Sequence, residues 1–378
     1  MIPYSRQSID KNDISHINKV LKSDIISRGK NIDKFEKLLK KKFNSKYCAV
    51  INNGTNALFL ACKAIGLKKN DIVWTVPITF AATVNAALMC QAKIDFVDID
   101  INSFNISILK LQEKLSKTPK KKMPKAIMVV HLGGNPVDMK EIFLLSKKYK
   151  FKVIEDASHA MGSHINLIKI GSCKWSDLCI FSFHAVKSIT TSEGGAIFTN
   201  NKLLLNEIKL QRENGLVSSI KNSGAINYNF LKPALNFRMS EVLAALGISQ
   251  LKKLERFIDQ RNKIAKYYKK KLKELPLNIQ KINFKSSYHL FIILLNKKFT
   301  KKDRERIISN LKKKGFYLNS HYRALHTSSY FKKRGFKHGS FPNAEFYSDR
   351  SISIPNYPGL KKREIKLFLD NFIKELNE

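Results

Sequence analysis

The chain has 378 residues, of which 69 are Lys or Arg and 30 are Asp or Glu, so its formal net charge is +39. A hydrophobic fraction of 43% excludes a disordered polycation, and the length fits about two domains. The charge raises a basic nucleic-acid-binding protein as the alternative to an enzyme. Lysine triplets are spread along the whole chain, however, at residues 40–42, 120–122, 269–271 and 312–314. This spread is typical of solvated helix faces and favours a protein without a nucleic-acid partner.

Short apolar runs alternate with amphipathic segments over the first two-thirds of the chain. This alternation predicts βαβ units and therefore an α/β fold with a mostly parallel sheet. The predicted strands are residues 47–51, 72–76, 94–97, 126–130, 152–155, 178–182 and 196–199. The predicted helices between them are residues 55–65, 81–90 and 140–149.

The last third of the chain has a different pattern and predicts a smaller α+β domain. Apolar residues at helical spacing over residues 240–274 predict one long helix that leads into this domain. Further along, the predicted strands are residues 288–295, 317–321 and 351–354, and the predicted helices are residues 301–314 and 361–376. We therefore expect a large domain at residues 1–250 and a small domain at residues 251–378.

The cysteines and the N-terminus indicate a cellular compartment. The five cysteines form no CxxC pair and their number is odd, so we expect buried thiols in a reducing environment. The first ten residues lack the apolar core of a signal peptide. The longest uncharged run, residues 72–92, contains a proline and several Thr, Asn and Gln residues, which argues against a membrane span. These features predict a cytoplasmic protein without a membrane partner.

The first candidate site motif is NNGTNA at residues 52–57, between a predicted strand and a predicted helix. Free N–H groups and the positive end of the helix dipole make an anion site at such a position. Gly54 lets the backbone approach a ligand closely, and Thr55 adds a hydroxyl group. The alternative is an ordinary Asn-Gly turn with a capping threonine.

The second motif is VIEDASHA at residues 153–160, in which a strand ends in two carboxylates and His159 follows Asp156 by three residues. Ligands of open α/β sheets collect at the carboxyl ends of strands. A carboxylate at such a strand end can hold the nitrogen of a cationic heterocycle. The alternative is that Asp156 only caps the next helix.

The third motif is IFSFHAVK at residues 180–187, followed by TTSEGG at residues 190–195. It places Lys187 among apolar residues, just after a strand and before a Gly-Gly turn. Burial lowers the pKa of a lysine amine and makes it a nucleophile that can form a Schiff base. These apolar neighbours, with the flanking Ser, His and Thr residues, distinguish Lys187 from the many other lysines of the chain.

In this order the three motifs resemble those of the fold-type I pyridoxal-phosphate enzymes, and more narrowly those of the sugar aminotransferases of the perosamine, spectinomycin and streptomycin pathways. The SFHxxKxxTxxEGG run, the EDASHA stretch and NFRMSE at residues 236–241 carry the resemblance, which covers nearly the whole chain. It implies pyridoxal 5′-phosphate as the cofactor. It also implies a large domain with a mostly parallel seven-stranded sheet between helices and a small α+β C-terminal domain.

The resemblance implies a role for each residue around the cofactor ring. Lys187 is the Schiff-base lysine that shuttles the proton, and Asp156 pairs with the pyridinium nitrogen. His159 contacts the ring face or its phenolic oxygen, and Phe80 stacks on the other face. Because some relatives that carry a histidine in place of the lysine are dehydratases, Lys187 favours transamination.

The resemblance also implies how the remaining groups are bound. Gly54, Thr55 and Ser182 of one chain hold the cofactor phosphate together with Asn236 of a neighbouring subunit. We therefore expect a homodimer with shared active sites. The candidates for contacts to the donor carboxylate or the nucleotide phosphates are Arg28, His184, His321 and Arg323. No residue is predicted to be a metal ligand.

Narrower matches indicate the subgroup that forms UDP-4-amino-4,6-dideoxy-N-acetyl-β-L-altrosamine for pseudaminic acid biosynthesis. They include ITFAAT at residues 78–83, His159, and the Ile-Thr-Thr that follows Lys187 and Ser188. The expected substrates are a UDP-linked 4-keto sugar and L-glutamate. The HLGGNPVD run at residues 131–138 is more similar to that of the perosamine enzymes. GDP-perosamine, legionaminic- or bacillosamine-type sugars and dTDP-linked amino sugars therefore stay open as alternatives.

Overall fold

The computed structural model describes residues 1–220 and 226–378. Its strands are β1 Ile2–Pro3, β2 Tyr47–Ile51, β3 Ile72–Thr75, β4 Lys93–Phe96, β5 Ala126–Val130, β6 Lys152–Asp156, β7 His164–Ile165, β8 Ile168–Lys169, β9 Leu178–Ser182, β10 Gly195–Thr199, β11 Leu216–Ile220, β12 Ile226–Phe230, β13 Leu277–Ile279, β14 Phe291–Leu295, β15 Phe316–Tyr317 and β16 Ser351–Ile354. Its helices are α1 Lys11–Leu21, α2 Lys30–Phe43, α3 Gly54–Ala64, α4 Ala81–Leu88, α5 Ile108–Lys117, α6 Met139–Tyr149, α7 Lys202–Arg212, α8 Glu241–Leu251, α9 Leu254–Lys271, α10 Lys301–Lys313, α11 Ser329–Lys332, α12 Pro342–Arg350 and α13 Lys362–Asn377.

Seven of the described strands form the main sheet, in the order β2-β10-β9-β6-β5-β3-β4. Every neighbouring pair is parallel except those of β10, which is antiparallel to both β2 and β9. β2 therefore runs in the same direction as the parallel strands. The carboxyl ends of these strands meet at one edge of the sheet. The expectation of a mostly parallel seven-stranded sheet is confirmed.

Alternate residues of each strand face two apolar layers, because successive side chains of a strand point to opposite faces. In β2, Cys48 and Val50 pack into the layer that contains α2, α5, α6 and α8. The intervening Ala49 and Ile51 pack into the opposite layer, with α3, α4 and α7. The sheet is thus covered by helices on both faces, as burial of its near-continuous hydrophobic strands requires.

The C-terminal part has a core of its own, as the predicted small α+β domain implies. β13, β14 and β16 form an antiparallel three-stranded sheet. Buried residues of α10 and α13, among them Leu311, Phe368 and Phe372, pack against it. The division of the chain between residues 250 and 251 stays a prediction.

Two predicted elements differ from the structure by more than a few residues at one end. Residues 240–274 do not form one helix, since α8 ends at Leu251 and α9 begins at Leu254. The turn between them is held by Lys253 Nζ, which lies 2.9 Å from the Asp10 carboxylate at the start of α1. Of the predicted strand at residues 317–321, only Tyr317 is in a strand, as the last residue of β15. Asn319 instead forms an isolated bridge with Ser353.

All five cysteines are buried and free, as predicted. Burial raises the pKa of the thiols of Cys48, Cys173 and Cys179, which keeps them protonated and poorly nucleophilic. None of the helices in the described part of the chain is long and apolar enough to cross a bilayer.

The N-terminus of α2 is capped by a side chain from α8, because its N-cap residue Gly29 has no side chain to do so. The carboxylate of Glu241 accepts hydrogen bonds from the backbone N–H groups of Gly29 at 3.0 Å, Asn31 at 2.8 Å and Ile32 at 3.1 Å. Glu241 is 1% exposed. A negative charge at a helix N-terminus also interacts favourably with the helix dipole. Glu241 therefore joins α2 to α8 in one of the two apolar layers.

Replacement of Glu241 by alanine leaves three backbone N–H groups without their acceptor, those of the half-buried Gly29 and Asn31 and of the buried Ile32. We expect Glu241→Ala to lower the free energy of unfolding by about 3 kcal/mol, measured by urea denaturation followed by circular dichroism. The matched control is Glu255→Ala, which removes an ion pair to Lys42 whose carboxylate is largely exposed. The control should cost less than about 1 kcal/mol. Equal losses in the two variants would contradict the capping role.

Candidate active site

A cavity of about 650 Å³ opens at the edge of the main sheet where the parallel strands end. β2 and β9 end there and β10 begins there, since Gly195 pairs with both Ile51 and Ser182. The volume of the cavity is in the range of small-molecule and cofactor sites. The predicted site residues that line it are Gly54, Thr55, Phe80, Asp156, His159, Ser182, His184, Lys187 and His321. Three motifs far apart in the sequence thus share one cavity.

One part of the cavity wall is suited to an anion. α3 begins at Gly54, and its N-cap residue Asn53 accepts a hydrogen bond from the Asn56 N–H at 2.8 Å. The first N–H groups of a helix have no partner within it, which leaves those of Gly54 and Thr55 for a ligand. A Cβ atom at Gly54 would lie 2.9 Å from the Ser182 Cβ. Only glycine therefore lets α3 begin directly against the Ser182 hydroxyl group.

Both oxygens of the Asp156 carboxylate accept hydrogen bonds from hydroxyl groups. Thr83 Oγ1 donates to Oδ2 at 2.6 Å, and Ser158 Oγ donates to Oδ1 at 2.6 Å. Thr79 Oγ1 lies 2.7 Å from Thr83 Oγ1 and extends the chain of hydroxyls. These contacts hold the 6%-exposed carboxylate in one orientation at the cavity. Asp156 is followed by a turn and not by a helix, so the alternative that it only caps a helix is wrong.

Lys187 lies in a loop between β9 and β10 that is fixed by its own backbone. The Lys187 N–H donates to the His184 carbonyl at 2.9 Å, and the Thr191 N–H donates to the Phe183 carbonyl at 2.9 Å. Burial lowers the pKa of the Lys187 amine to about 8, and the attraction of Asp156 opposes this fall. A larger fraction of the amine is therefore unprotonated near neutral pH than for a lysine in water, as a nucleophile or a base requires.

His159 belongs to a group of aromatic side chains in the cavity wall. Its Nε2 lies 3.1 Å from the hydroxyl oxygen of Tyr322, and its ring centroid lies 4.6 Å from that of His289. The His321 ring is 6.5 Å away. The phenyl ring of Phe80 lies 5.8 Å from that of Tyr322, and Phe80 is 59% exposed. An aromatic face that is open at a cavity is suited to stack on a planar ligand.

Several residues in or next to the cavity were not predicted as site residues from the sequence. Tyr322 and His289 are 163 and 130 positions from His159, and Thr83 is 73 positions from Asp156. Ser158 lies inside the EDASHA stretch, next to the predicted His159. The signal that could have found Thr83 is its place in the ITFAAT stretch, which also supplies Phe80.

Three predicted residues do not line the cavity. Arg28 forms a 3.7 Å ion pair with Glu213 and lines a separate cavity of about 270 Å³. Asn236 pairs with Glu213 in an isolated bridge, and its Oδ1 accepts from the Arg238 N–H at 3.1 Å. Arg323 is exposed, one residue after Tyr322. Arg28 and Asn236 therefore lie together at Glu213, away from Lys187 of the same chain.

The chain matches a known family and known proteins over nearly its full length. Residues 7–372 match the DegT/DnrJ/EryC1/StrS aminotransferase family. A UDP-4-amino-4,6-dideoxy-N-acetyl-β-L-altrosamine transaminase of Campylobacter jejuni is 40% identical over 383 residues, covering 100% of this chain and 98% of that protein. A GDP-perosamine synthase of Vibrio cholerae is 30% identical over 369 residues, covering 97% and 96%.

A solved structure agrees with these sequence matches. That of Helicobacter pylori PseC, an aminotransferase involved in the biosynthesis of pseudoaminic acid, superposes with a TM-score of 0.91 at 29% identity. The superposition covers 100% of this chain and 99% of that chain. The family suggested by the three motifs, and the fold that it implies, are therefore confirmed. The chain is a member of the DegT/DnrJ/EryC1/StrS aminotransferase family.

Proposed function

We propose that this protein transfers the amino group of L-glutamate to a UDP-linked 4-keto-6-deoxy sugar, with pyridoxal 5′-phosphate as cofactor. The proposed product is UDP-4-amino-4,6-dideoxy-N-acetyl-β-L-altrosamine, on the way to pseudaminic acid. The observation that carries the proposal is the buried amine of Lys187 in one cavity with the Asp156 carboxylate and the N-terminus of α3. The 40% identical transaminase of Campylobacter jejuni supports the choice of sugar.

The cavity residues fit this cofactor. Pyridoxal phosphate supplies an aldehyde that condenses with amines and a protonated ring that withdraws electrons from the substrate carbon. Gly54, Thr55 and Ser182 offer N–H and hydroxyl donors to the phosphate. A Cβ atom at Gly195 would lie 2.8 Å from the carbonyl oxygen of Asn53, so the glycine there keeps the phosphate-binding turn close to β10.

The two ionisable groups of the cavity have separate tasks in this reaction. Asp156 would accept a hydrogen bond from the ring nitrogen and keep that nitrogen protonated. Lys187 would hold the cofactor through its amine, and the free amine would accept the proton of the donor's α-carbon at Nζ. The same amine then delivers a proton to the sugar carbon. A base with a pKa near the working pH is suited to both transfers.

The reactivity of Lys187 should reflect its lowered pKa. We expect pyridoxal phosphate and borohydride to label the Lys187 peptide with a rate that rises with pH and is half-maximal near pH 8. Removal of the attractive carboxylate in Asp156→Asn should move this midpoint to lower pH, because only burial then acts on the amine. Peptide mass spectrometry measures both. A midpoint near 10.4, as for a lysine in water, would contradict burial of the amine.

The identity of the sugar is tested by turnover. Purified protein is assayed with glutamate against a panel of UDP-, GDP- and dTDP-linked 4-keto sugars, with the product configuration determined by NMR. We expect the UDP-linked precursor of the altrosamine product to give the highest kcat/KM, and Lys187→Ala to give no turnover. A preference for the GDP-linked sugar would favour perosamine synthesis, in agreement with the 30% identical Vibrio cholerae enzyme.

We infer further that two copies of this chain share their active sites, with Asn236 of one copy at the cofactor phosphate of the other. Asn236 lies outside the cavity of its own chain. The hairpin β11–β12 and the residues after it carry exposed apolar side chains, which suits an interface between copies. These exposed residues are Val217, Ile226, Tyr228, Phe230, Leu231 and Leu235.

Complementation tests this arrangement. Lys187→Ala and Asn236→Asp should each be inactive alone, since each removes a group from every site. In a co-expressed mixture, half of the dimers are hybrids, and each hybrid has one site with both native residues. We expect about a quarter of the wild-type activity if Asn236 acts on the neighbouring subunit. Activity no higher than that of the single variants would place Asn236 in the site of its own chain.

A further inference from the structure

The hydrogen bond between His159 and Tyr322 has a defined direction. The backbone N–H of Gly133 donates to His159 Nδ1 at 3.3 Å. In a neutral imidazole one nitrogen accepts and the other carries the proton, so this contact places the proton on Nε2. Nε2–H therefore donates to the Tyr322 oxygen, 3.1 Å away. The oxygen of Tyr322 is therefore an acceptor in this pair, and its own hydrogen is not used by this contact.

The surroundings keep both side chains neutral. His159 is 6% exposed, and burial, followed by the charges of Lys187 and His321, holds its pKa well below the ordinary value. The ring of His289, 4.6 Å away, is also buried, and its pKa is lowered in the same direction. Burial raises the pKa of Tyr322 well above its ordinary value, so the phenol keeps its proton. The direction of the hydrogen bond is therefore retained at physiological pH.

The free hydrogen of Tyr322 is available to a ligand. Tyr322 lines the cavity that also contains Lys187 and Asp156. Within residues 1–220 and 226–378, its hydroxyl group makes no hydrogen bond other than that with His159. A hydroxyl donor that is partly shielded from water and has no protein acceptor costs free energy unless a ligand or water accepts its hydrogen.

We propose that Tyr322 donates a hydrogen bond to an acceptor oxygen of the ligand in this cavity, and that His159 positions it for this by occupying its other side. The proposal rests on the proposed function, whose ligands offer two such oxygens, the phenolic oxygen of the cofactor and the carbonyl oxygen of the keto sugar. His159 then acts on the ligand through Tyr322, since its only ring N–H is already donated.

Tyr322→Phe removes the hydroxyl group and keeps the ring, which preserves the contact with Phe80. The first measurement is the absorption spectrum of the cofactor-loaded protein without substrates, titrated with pH. The second is the single-turnover rate of each half-reaction, one with glutamate and one with the keto sugar. Tyr330→Phe is the matched control, because Tyr330 is exposed on α11 outside this cavity.

The measurements distinguish the two possible acceptors, the phenolic oxygen of the cofactor and the carbonyl oxygen of the keto sugar. If Tyr322 donates to the cofactor, Tyr322→Phe shifts the resting spectrum or its pH midpoint before any substrate is added. If it donates to the sugar, the resting spectrum is unchanged and the sugar half-reaction slows about tenfold or more, while the glutamate half-reaction keeps its rate. Either result supports the donor role. Wild-type spectra and wild-type rates in both half-reactions would overturn it.

The positioning role of His159 has its own test. His159→Leu removes the N–H that orients Tyr322, so it should cause part of the Tyr322→Phe effect. The double variant should be no worse than Tyr322→Phe alone, because both changes disturb one hydrogen bond. Additive losses would overturn the link between the two residues.

A wild-type protein that takes up no cofactor overturns the proposed function and this inference together. An unaltered Tyr322→Phe variant of a competent enzyme overturns this inference alone.

Discussion

The amine of Lys187 has to be removed from water and yet lie close to a carboxylate, and the rest of the site depends on this constraint. Burial favours the neutral amine, while Asp156 favours the charged one, and the balance leaves a pKa of about 8. A fully buried amine without the carboxylate would be too weak a base, and an exposed one would be protonated. The hydroxyl groups of Thr83 and Ser158 hold the carboxylate in its orientation.

The architecture supplies this environment at the edge where the parallel strands end. Asp156 ends β6 and Ser182 ends β9, so the two side chains lie on adjacent strands of the same edge. The loop that carries Lys187 is further held from α8, where Gln250 Oε1 accepts the Thr190 N–H at 3.4 Å. α8 also caps α2 through Glu241. The position of this amine is thus coupled to α2 and α8, whose residues do not line the cavity.

The net charge of +39, which first raised nucleic-acid binding as an alternative, has another interpretation once this site is known. The reaction as proposed needs one lysine with an altered pKa, and the remaining excess of basic residues is spread over the length of the chain. Every proposed ligand, whether nucleotide sugar, pyridoxal phosphate or glutamate, is an anion. A positive protein field raises the encounter rate of such ligands in a way that falls with ionic strength. The charge therefore suits an enzyme of anionic substrates and needs no nucleic acid to explain it.

The sequence by itself determined the sheet strands, the family and the residues inside the three motifs. β2, β5 and β9 have the predicted bounds, because short buried runs between turn residues have few other ways to fold. Lys187 and Asp156 could be predicted as site residues because each lies in a short motif whose neighbouring residues indicate its role. Only the tertiary structure decided the contacts of Asp156 with Thr83 and of His159 with Tyr322, which join positions 73 and 163 residues apart. Such pairs leave no local pattern, since the chain brings them together only when the sheet and the C-terminal part pack around one cavity.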